Sequence, residues 1–247
     1  MNKGKSLFYT AKFVLCGIIC IAIILSLGLG LSYVIKKRSD STPTVSPKND
    51  APVLIIDAGH GGEDAGAIAF DGTLEKDLNL KIASLVKVLC DLNGTNAVMT
   101  RDDDRLLYDH YDDLDDYTGQ KKLYDLKNRV KITKEHESPV YLGIHMNKFT
   151  QEKYSGVQVY YSKNSDKSEI FARSIQNSAK RFLQKDNNRT VKSAGSSIYV
   201  LHSLDCPAVL VECGFLSNEK ELENLKNEDY QAQLALILFT SSLFQLG

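Results

Sequence analysis

The amino-acid sequence predicts an α/β fold: a mostly parallel, twisted sheet of about six strands with helices on both faces, preceded by one N-terminal transmembrane helix. Two observations carry this prediction. Short apolar runs alternate with segments whose apolar residues recur at helical spacing, which is typical of strands joined by crossover helices. Near the N-terminus, a stretch of 23 residues lacks any charge, and this length is sufficient to cross a bilayer.

The N-terminal part is expected to be a short tail over residues 1–12, a transmembrane anchor over 13–35 and a linker over 36–51. Three lysines precede the apolar stretch and three basic residues follow it, so the positive-inside rule does not decide its orientation. A cleavable signal peptide is the alternative, although the apolar core of such a peptide usually has only about 7–15 residues. The linker is polar and rich in Ser and Pro.

The remaining chain, 52–247, has the length of one domain. After residue 50 it holds 23 Lys and Arg against 29 Asp and Glu. This acidic balance argues against a nucleic-acid partner, which requires a basic face. Cys90, Cys206 and Cys213 show no metal-binding spacing, and we expect them to be small buried residues rather than a disulfide framework.

The first half of the domain alternates strands and helices. The run "PVLIID" (52–57) predicts a buried strand, and "NAVMTR" (96–101) predicts a short second one. Between them, residues 75–92 carry Leu and Ile at every third or fourth position, which predicts a helix. Eight aspartates follow between 102 and 116; their repulsion predicts an open, solvated flap, and the pattern of a calcium loop is absent.

The second half continues this alternation. A helix is expected over "KKLYDLKNRVKITKEH", and "PVYLGIH" (139–145) and "GVQVYYS" (156–162) predict two strands. A helix is expected over about 166–185. The runs "SIYVLHS" and "PAVLVEC" predict two more strands, and two helices are expected after Ser217.

Several strands lead into residues that suit a zinc hydrolase. His60 follows the first strand by a few residues, and His145 and Glu212 end two others. Glu75 opens the first helix of the domain. Because the carboxyl ends of parallel strands meet at one edge of a sheet, we expect these four side chains to converge there.

The glycine loop around His60 does not suit a phosphate. Its glycines, at 59, 61, 62 and 66, do not fit the G-x-G-x-x-G fingerprint, and no Walker lysine follows. Glu63 and Asp64 would also repel a phosphate. The loop is therefore better explained as a tight turn that brings His60 back over the strand ends.

A single zinc ion fits these residues better. Catalytic zinc takes three His or carboxylate ligands and keeps a position open for water, which suits His60, Glu75 and His145. Glu212 follows an apolar strand, so burial should raise its pKa and allow it to carry a proton. Taken singly, each residue has an ordinary explanation, such as a turn, a helix N-terminus or a core histidine. His202, at the end of "SIYVLHS", is a further candidate substrate contact.

At these residues the sequence resembles a known family, the zinc-dependent N-acetylmuramoyl-L-alanine amidases of bacterial cell walls (the amidase-3 type). The landmarks occur in order: "IIDAGHGGEDAGA", "LEKDLNL", "MTRDDD", "LKNRVKI", "YLGIHMN" and "PAVLVECGFLSN". The resemblance implies zinc on His60, Glu75 and His145, with Glu212 as the catalytic carboxylate. It also implies hydrolysis of the amide between the lactyl group of N-acetylmuramic acid and the first L-alanine of the stem peptide in peptidoglycan.

The layout from "TRDDDRLLYDHYDD" to "LKNRVKI" resembles the sporulation amidases of endospore formers. Those enzymes act on spore-cortex peptidoglycan, in a step toward the muramic-δ-lactam needed for germination. The resemblance implies a catalytic domain outside the cytoplasm, in the space between the mother-cell and forespore membranes, and allows for an accessory activating protein. Arg129 and Asn147 match family positions, where we expect them to anchor loops or a helix end. Gly143 departs from the usual small polar residue before "IH".

Two alternatives stay open from the sequence. One is a non-catalytic module that binds peptidoglycan or a partner with the same fold. The other is a zinc carboxypeptidase that cuts a different bond of the stem peptide.

Overall fold

The computed structural model describes residues 51–111 and 119–246. The expected N-terminal tail and transmembrane anchor, and the expected linker up to residue 50, lie outside these ranges. Within the described ranges, no helix is both long enough and apolar enough to span a membrane.

The described chain contains six strands and six helices, which mostly alternate. In order, they are β1 (Val53–Ala58), α1 (Glu75–Asn93), β2 (Ala97–Met99), α2 (Lys121–Lys134), β3 (Pro139–Asn147), β4 (Gln158–Tyr161), α3 (Asp166–Phe182), β5 (Lys192–Ser193), α4 (Tyr199–Ser203), β6 (Ala208–Phe215), α5 (Glu219–Lys226) and α6 (Glu228–Leu246).

The strands form one sheet in the order β2-β1-β3-β6-β4-β5. The pairs β1–β2, β1–β3, β3–β6 and β4–β5 are parallel, and β4–β6 is antiparallel. The prediction of a mostly parallel six-stranded sheet is therefore confirmed. Because β1, β3 and β6 lie side by side and run the same way, their carboxyl ends share one edge of the sheet.

Helices cover both faces of the sheet, as predicted. On the larger face, β1 and β3 contribute Leu54, Ile56, Leu142 and Ile144 to the main core, which packs against α1, α3 and α6. On the smaller face, Val53 and Ile55 of β1 pack with residues of α2 and α4. A strand that is buried on both faces has a continuous run of apolar residues, and this pattern predicts β1 from the sequence.

One predicted strand is wrong. The run "SIYVLHS" includes the short helix α4, and the sixth strand is instead the two-residue β5. Val200 and Leu201 are buried in the smaller core, so packing of a short helical turn overrides the β propensity of this apolar run. The three cysteines of the domain are free, with Cys90 and Cys213 buried, as expected.

The central strand gives a test of the core. Leu142 of β3 is fully buried, so Leu142→Ala should lower the free energy of unfolding by about 2–5 kcal/mol through lost burial and a residual cavity. Leu92→Ala is the matched control, because Leu92 is 81% exposed, and it should change stability by no more than about 0.5 kcal/mol. Urea unfolding of the two variants and the unchanged chain measures both values; equal losses would contradict this description of the core.

Candidate active site

The loop after β1 turns sharply and brings His60 back over the edge of the sheet. His60 has a φ of 64°, a left-handed conformation that non-glycine residues rarely adopt. Backbone hydrogen bonds hold the turn: the Gly59 amide donates to the Ile144 carbonyl at 3.1 Å, and Gly61 and Asp64 exchange two bonds of 3.0 Å. The surrounding structure thus imposes the strained conformation of His60.

Two glycines of this loop are needed because of the side chains that lie against them. A Cβ atom on Gly59 would lie 2.2 Å from Cε1 of His145. A Cβ atom on Gly66 would lie 2.6 Å from Oε2 of Glu75, and the φ of Gly66 is +66°. The glycines therefore provide space for the histidine and glutamate side chains as well as the turn itself.

Glu75 is the first residue of α1, and its carboxylate is buried and fixed by the backbone. Its Oε2 accepts a hydrogen bond from the Ala67 amide at 2.7 Å, and its Oε1 accepts one from the Met146 amide at 3.1 Å. A carboxylate whose only role was a favourable interaction with the helix dipole could point to solvent. Here the side chain points inward, toward the two histidines.

His60, Glu75 and His145 form one compact cluster. Oε1 of Glu75 lies 3.2 Å from Nε2 of His60 and 3.0 Å from Nδ1 of His145. The three potential ligand atoms all lie within 4.8 Å of one another, close enough to share one ion. Although burial favours the neutral acid, hydrogen bonds from both histidines hold the pKa of Glu75 well below its usual range, so this carboxylate is ionised.

The protonation of His60 is controlled by its acidic neighbours. Burial opposes its protonation, but hydrogen bonds to Asp64 and Glu75 outweigh burial and raise the pKa of His60 to about 9. Its Nδ1 lies 2.9 Å from Oδ2 of Asp64, so Nε2 is the nitrogen that faces Glu75. A carboxylate behind a histidine in this way orients the ring and increases its basicity as a metal ligand.

This role of Asp64 was not predicted from the sequence, where its charge counted only against a phosphate site. Its position four residues after His60 in a glycine-rich turn is a usable signal, because such a turn folds the carboxylate back onto the ring. Asn79, one helical turn after Glu75, was also missed. Its Nδ2 donates to the Gly59 carbonyl at 3.0 Å and lies 3.4 Å from Oε1 of Glu75.

Glu212 lies one strand away from the cluster. It pairs in register with His145 across β3 and β6, and both strands continue beyond this pair, with a register shift between His145 and Asn147. The two residues therefore lie near the strand ends, not at them as expected. Oε2 of Glu212 is buried and has no hydrogen-bond partner in the described chain. Burial raises the pKa of Glu212 to about 7, and the nearby His145 opposes this effect only in part.

Arg129 stabilises the loop that carries His60. It is buried, and Nη2 donates to the His60 carbonyl at 2.8 Å. Its Nη1 and Nε donate to the carboxylates of Asp57 and Asp125 at 2.5 and 2.8 Å, and the Tyr141 hydroxyl also donates to Asp57. Arg129 thus anchors the loop that carries His60, as the sequence analysis expected.

A cleft of about 240 Å³ opens beside His60 and His145, between α2 and the segment that leads into α4. Its walls combine apolar and charged side chains: Leu126, Leu210, Ile198, Tyr199 and Lys122. His202 is exposed on α4 and does not line this cleft, so the expectation of a substrate contact there is not supported.

The acidic stretch is less open than its charge predicted. Asp102, Asp103 and Asp104 are all exposed, but the carboxylate of Asp104 accepts hydrogen bonds from the Gly62 amide at 2.7 Å and from Lys76 Nζ at 2.6 Å. Leu107 is buried. The first part of the predicted flap is therefore docked on the loop of His60, and residues 112–118 lie outside the described ranges.

Comparisons with known proteins identify relatives of this chain. The chain is 32% identical to the germination-specific N-acetylmuramoyl-L-alanine amidase of Bacillus subtilis over 206 residues, which cover 83% of this chain and 84% of that relative.

Among solved structures, the CwlD amidase from Clostridioides difficile in complex with the GerS lipoprotein matches with a TM-score of 0.72 and 39% identity, covering 79% of this chain and 98% of that one. The amidase AmiC2 of Nostoc punctiforme matches with a TM-score of 0.66 and 28% identity, covering 80% and 98%. The sequence profile of the Amidase_3 family, described as N-acetylmuramoyl-L-alanine amidase, matches residues 54–239. The chain belongs to this amidase family.

Proposed function

We propose that this chain hydrolyses the amide bond between N-acetylmuramic acid and L-alanine in peptidoglycan and depends on one zinc ion. The observation that carries the proposal is the cluster of His60, Glu75 and His145, with ligand atoms within 4.8 Å of one another, beside a buried carboxyl oxygen of Glu212 without a partner. Family membership supplies the substrate class. The alternatives from the sequence, a binding module and a carboxypeptidase, gain no support from any feature of the site.

Zinc fits the donor set, and His60, Glu75 and His145 would hold it. When bound, a zinc ion polarises a carbonyl oxygen and lowers the pKa of a water molecule. Asp64 and Arg129 keep the His60 ring and its backbone in place, which would orient His60 as a ligand. The ionised state of Glu75 adds the negative charge that a divalent cation requires.

Glu212 is suited to handle the proton of the reaction. Hydrolysis of an amide leaves an amine, and the departing nitrogen must receive a proton. A carboxyl group with a pKa of about 7 can take up a proton near neutral pH and release it again. Because Oε2 of Glu212 makes no hydrogen bond within the described chain, it is available to do so.

The biological role is proposed from the relatives. A germination-specific amidase and the CwlD amidase are among them, which supports spore-cortex peptidoglycan as the substrate. The CwlD structure is a complex with a lipoprotein, which supports an accessory protein for this chain too. Residues 13–35 would anchor the chain in a membrane with the catalytic domain outside the cytoplasm, where peptidoglycan lies.

The first test replaces the proposed proton carrier. Glu212→Gln preserves the shape of the side chain but not its acidity, so hydrolysis should fall at least about 100-fold while the zinc content stays at one ion per chain. Digestion of purified cortex and vegetative wall, analysed by mass spectrometry for peptides that begin with L-alanine, measures the activity, and elemental analysis measures the zinc.

Glu223→Gln is the control for this substitution, because Glu223 is exposed on α5 and does not line the cleft beside His60 and His145, and it should leave the activity unchanged. Near-normal hydrolysis by Glu212→Gln would contradict its role as proton carrier. Release of single C-terminal amino acids, in place of peptides that begin with L-alanine, would identify a carboxypeptidase. Zinc-loaded chain that binds wall but releases nothing, with and without the accessory protein, would identify a binding module.

The second test uses the contact between Gly59 and His145. Gly59→Ala would place a methyl group 2.2 Å from Cε1 of His145, so the ring must move away and zinc affinity should fall at least about tenfold. Gly195→Ala is the control: the nearest atom to its added methyl group would be Oγ of Ser197 at 3.9 Å, an ordinary contact, and neither Gly59 nor Gly195 has a positive φ. It should therefore keep the zinc affinity. Competition with a chromogenic chelator measures the affinity; equal zinc binding by both variants would show that the contact is unimportant.

A further inference from the structure

Arg101 is a buried cation that bonds to the backbone rather than to an acid. Its side chain is 1% exposed, and it forms no ion pair with a carboxylate in the described part of the chain. It donates instead to backbone carbonyls: Nε to Ala58 at 2.8 Å, Nη1 to Asp103 at 2.8 Å, and Nη2 to Gly59 at 3.0 Å and to Lys76 at 2.9 Å. Burying a charge in this way is costly, so the contacts require an explanation.

The carbonyls that Arg101 contacts belong to the segments that carry two of the cluster residues. Ala58 and Gly59 immediately precede His60, and Lys76 immediately follows Glu75. The single nitrogen Nη2 joins the carbonyls of Gly59 and Lys76. The loop of His60 and the first turn of α1 are therefore connected through one guanidinium.

The shape of the guanidinium matters for this connection. Its donors lie in one plane with fixed directions, whereas a lysine ammonium is a point charge on a flexible stem. A planar group that bonds several carbonyls at once fixes their separation. The role differs from that of Arg129, which pairs with Asp57 and Asp125 and contacts no residue of α1 in the hydrogen bonds of the described chain.

We propose that Arg101 is a positioning residue of the metal site, which fixes the spacing between His60 and Glu75 so that both reach the same ion. The proposal rests on the proposed zinc-dependent function. It assigns no chemical step to Arg101, whose effect passes through the backbone of the two segments it joins. Loss of the guanidinium should therefore affect metal binding more than folding.

The test compares three variants of the full chain. Arg101→Met keeps the length of the stem but removes all the hydrogen-bond donors. The zinc dissociation constant should then rise about 10–100-fold, the range typical of residues that orient metal ligands. Arg101→Lys should give an intermediate affinity, since an ammonium reaches fewer of the carbonyls. Arg105→Met is the control, because Arg105 lies in the same loop but its side chain is 51% exposed and pairs only with Asp102 and Asp103 in the described chain.

Three measurements separate positioning from a general loss of structure. Chelator competition gives the zinc dissociation constant, the visible spectrum of the Co²⁺-loaded chain reports the geometry of the ligands, and circular dichroism follows thermal unfolding without metal. A positioning role predicts a weaker zinc affinity and an altered Co²⁺ spectrum for Arg101→Met. A purely structural role would lower the unfolding temperature and leave both metal measurements unchanged, which would overturn the proposal.

The outcomes also separate this proposal from the proposed function. If the unchanged chain binds zinc and cleaves peptidoglycan but the Arg101 variants bind zinc equally well, only the role of Arg101 is wrong. If the unchanged chain binds no zinc, the proposed function fails, and the role of Arg101 fails with it. If Arg101→Met does not fold, Arg101→Lys decides: an unchanged zinc affinity and Co²⁺ spectrum would overturn the proposal.

Discussion

The candidate site depends on a single carboxylate oxygen. Oε1 of Glu75 lies within 3.2 Å of a nitrogen on each of two histidines, one of which follows β1 while the other lies near the end of β3. Bringing these groups together requires the parallel pairing of β1 and β3, the inward turn of the first residue of α1, and a loop without a side chain at Gly59 or Gly66. If any of these features were absent, the three side chains would not reach one another.

The buried charges beneath the loop of His60 are compensated by neighbouring groups. Burial alone would protonate Asp57, but Arg129 and hydrogen bonds from Thr100 and Tyr141 keep its pKa below the usual value. Removing one partner of such a pair leaves an uncompensated charge and is strongly destabilising. The ionic groups under the loop of His60 are therefore better explained as fixing its unusual backbone than as a source of net stability.

Sequence patterns predict the order of the helices and strands and the convergence of the proposed zinc ligands, because both depend on local rules. Continuous apolar runs identify strands buried on both faces, and parallel strands must carry their final residues to one edge. The failures have non-local causes. The helical turn at Tyr199 is set by packing against the smaller core, and the docking of Asp104 is set by Lys76 and the Gly62 amide. The contacts of Arg101 with backbone carbonyls leave no signal in residue type at all, since any segment offers carbonyls.

Two glutamates in one small site have opposite properties, and their surroundings explain why. Glu75 accepts hydrogen bonds from two backbone amides and contacts two imidazoles, so its charged form is stabilised despite burial. Glu212 on β6 is desolvated, and its Oε2 accepts no hydrogen bond in the described chain. These surroundings raise its pKa to about 7, so its neutral form predominates below about that pH. A fixed anion suits a ligand, and an acid that titrates near neutrality suits a proton carrier. The same residue type thus suits two functions, because the fold provides hydrogen-bond donors to the carboxylate of Glu75 but none to Oε2 of Glu212 in the described chain.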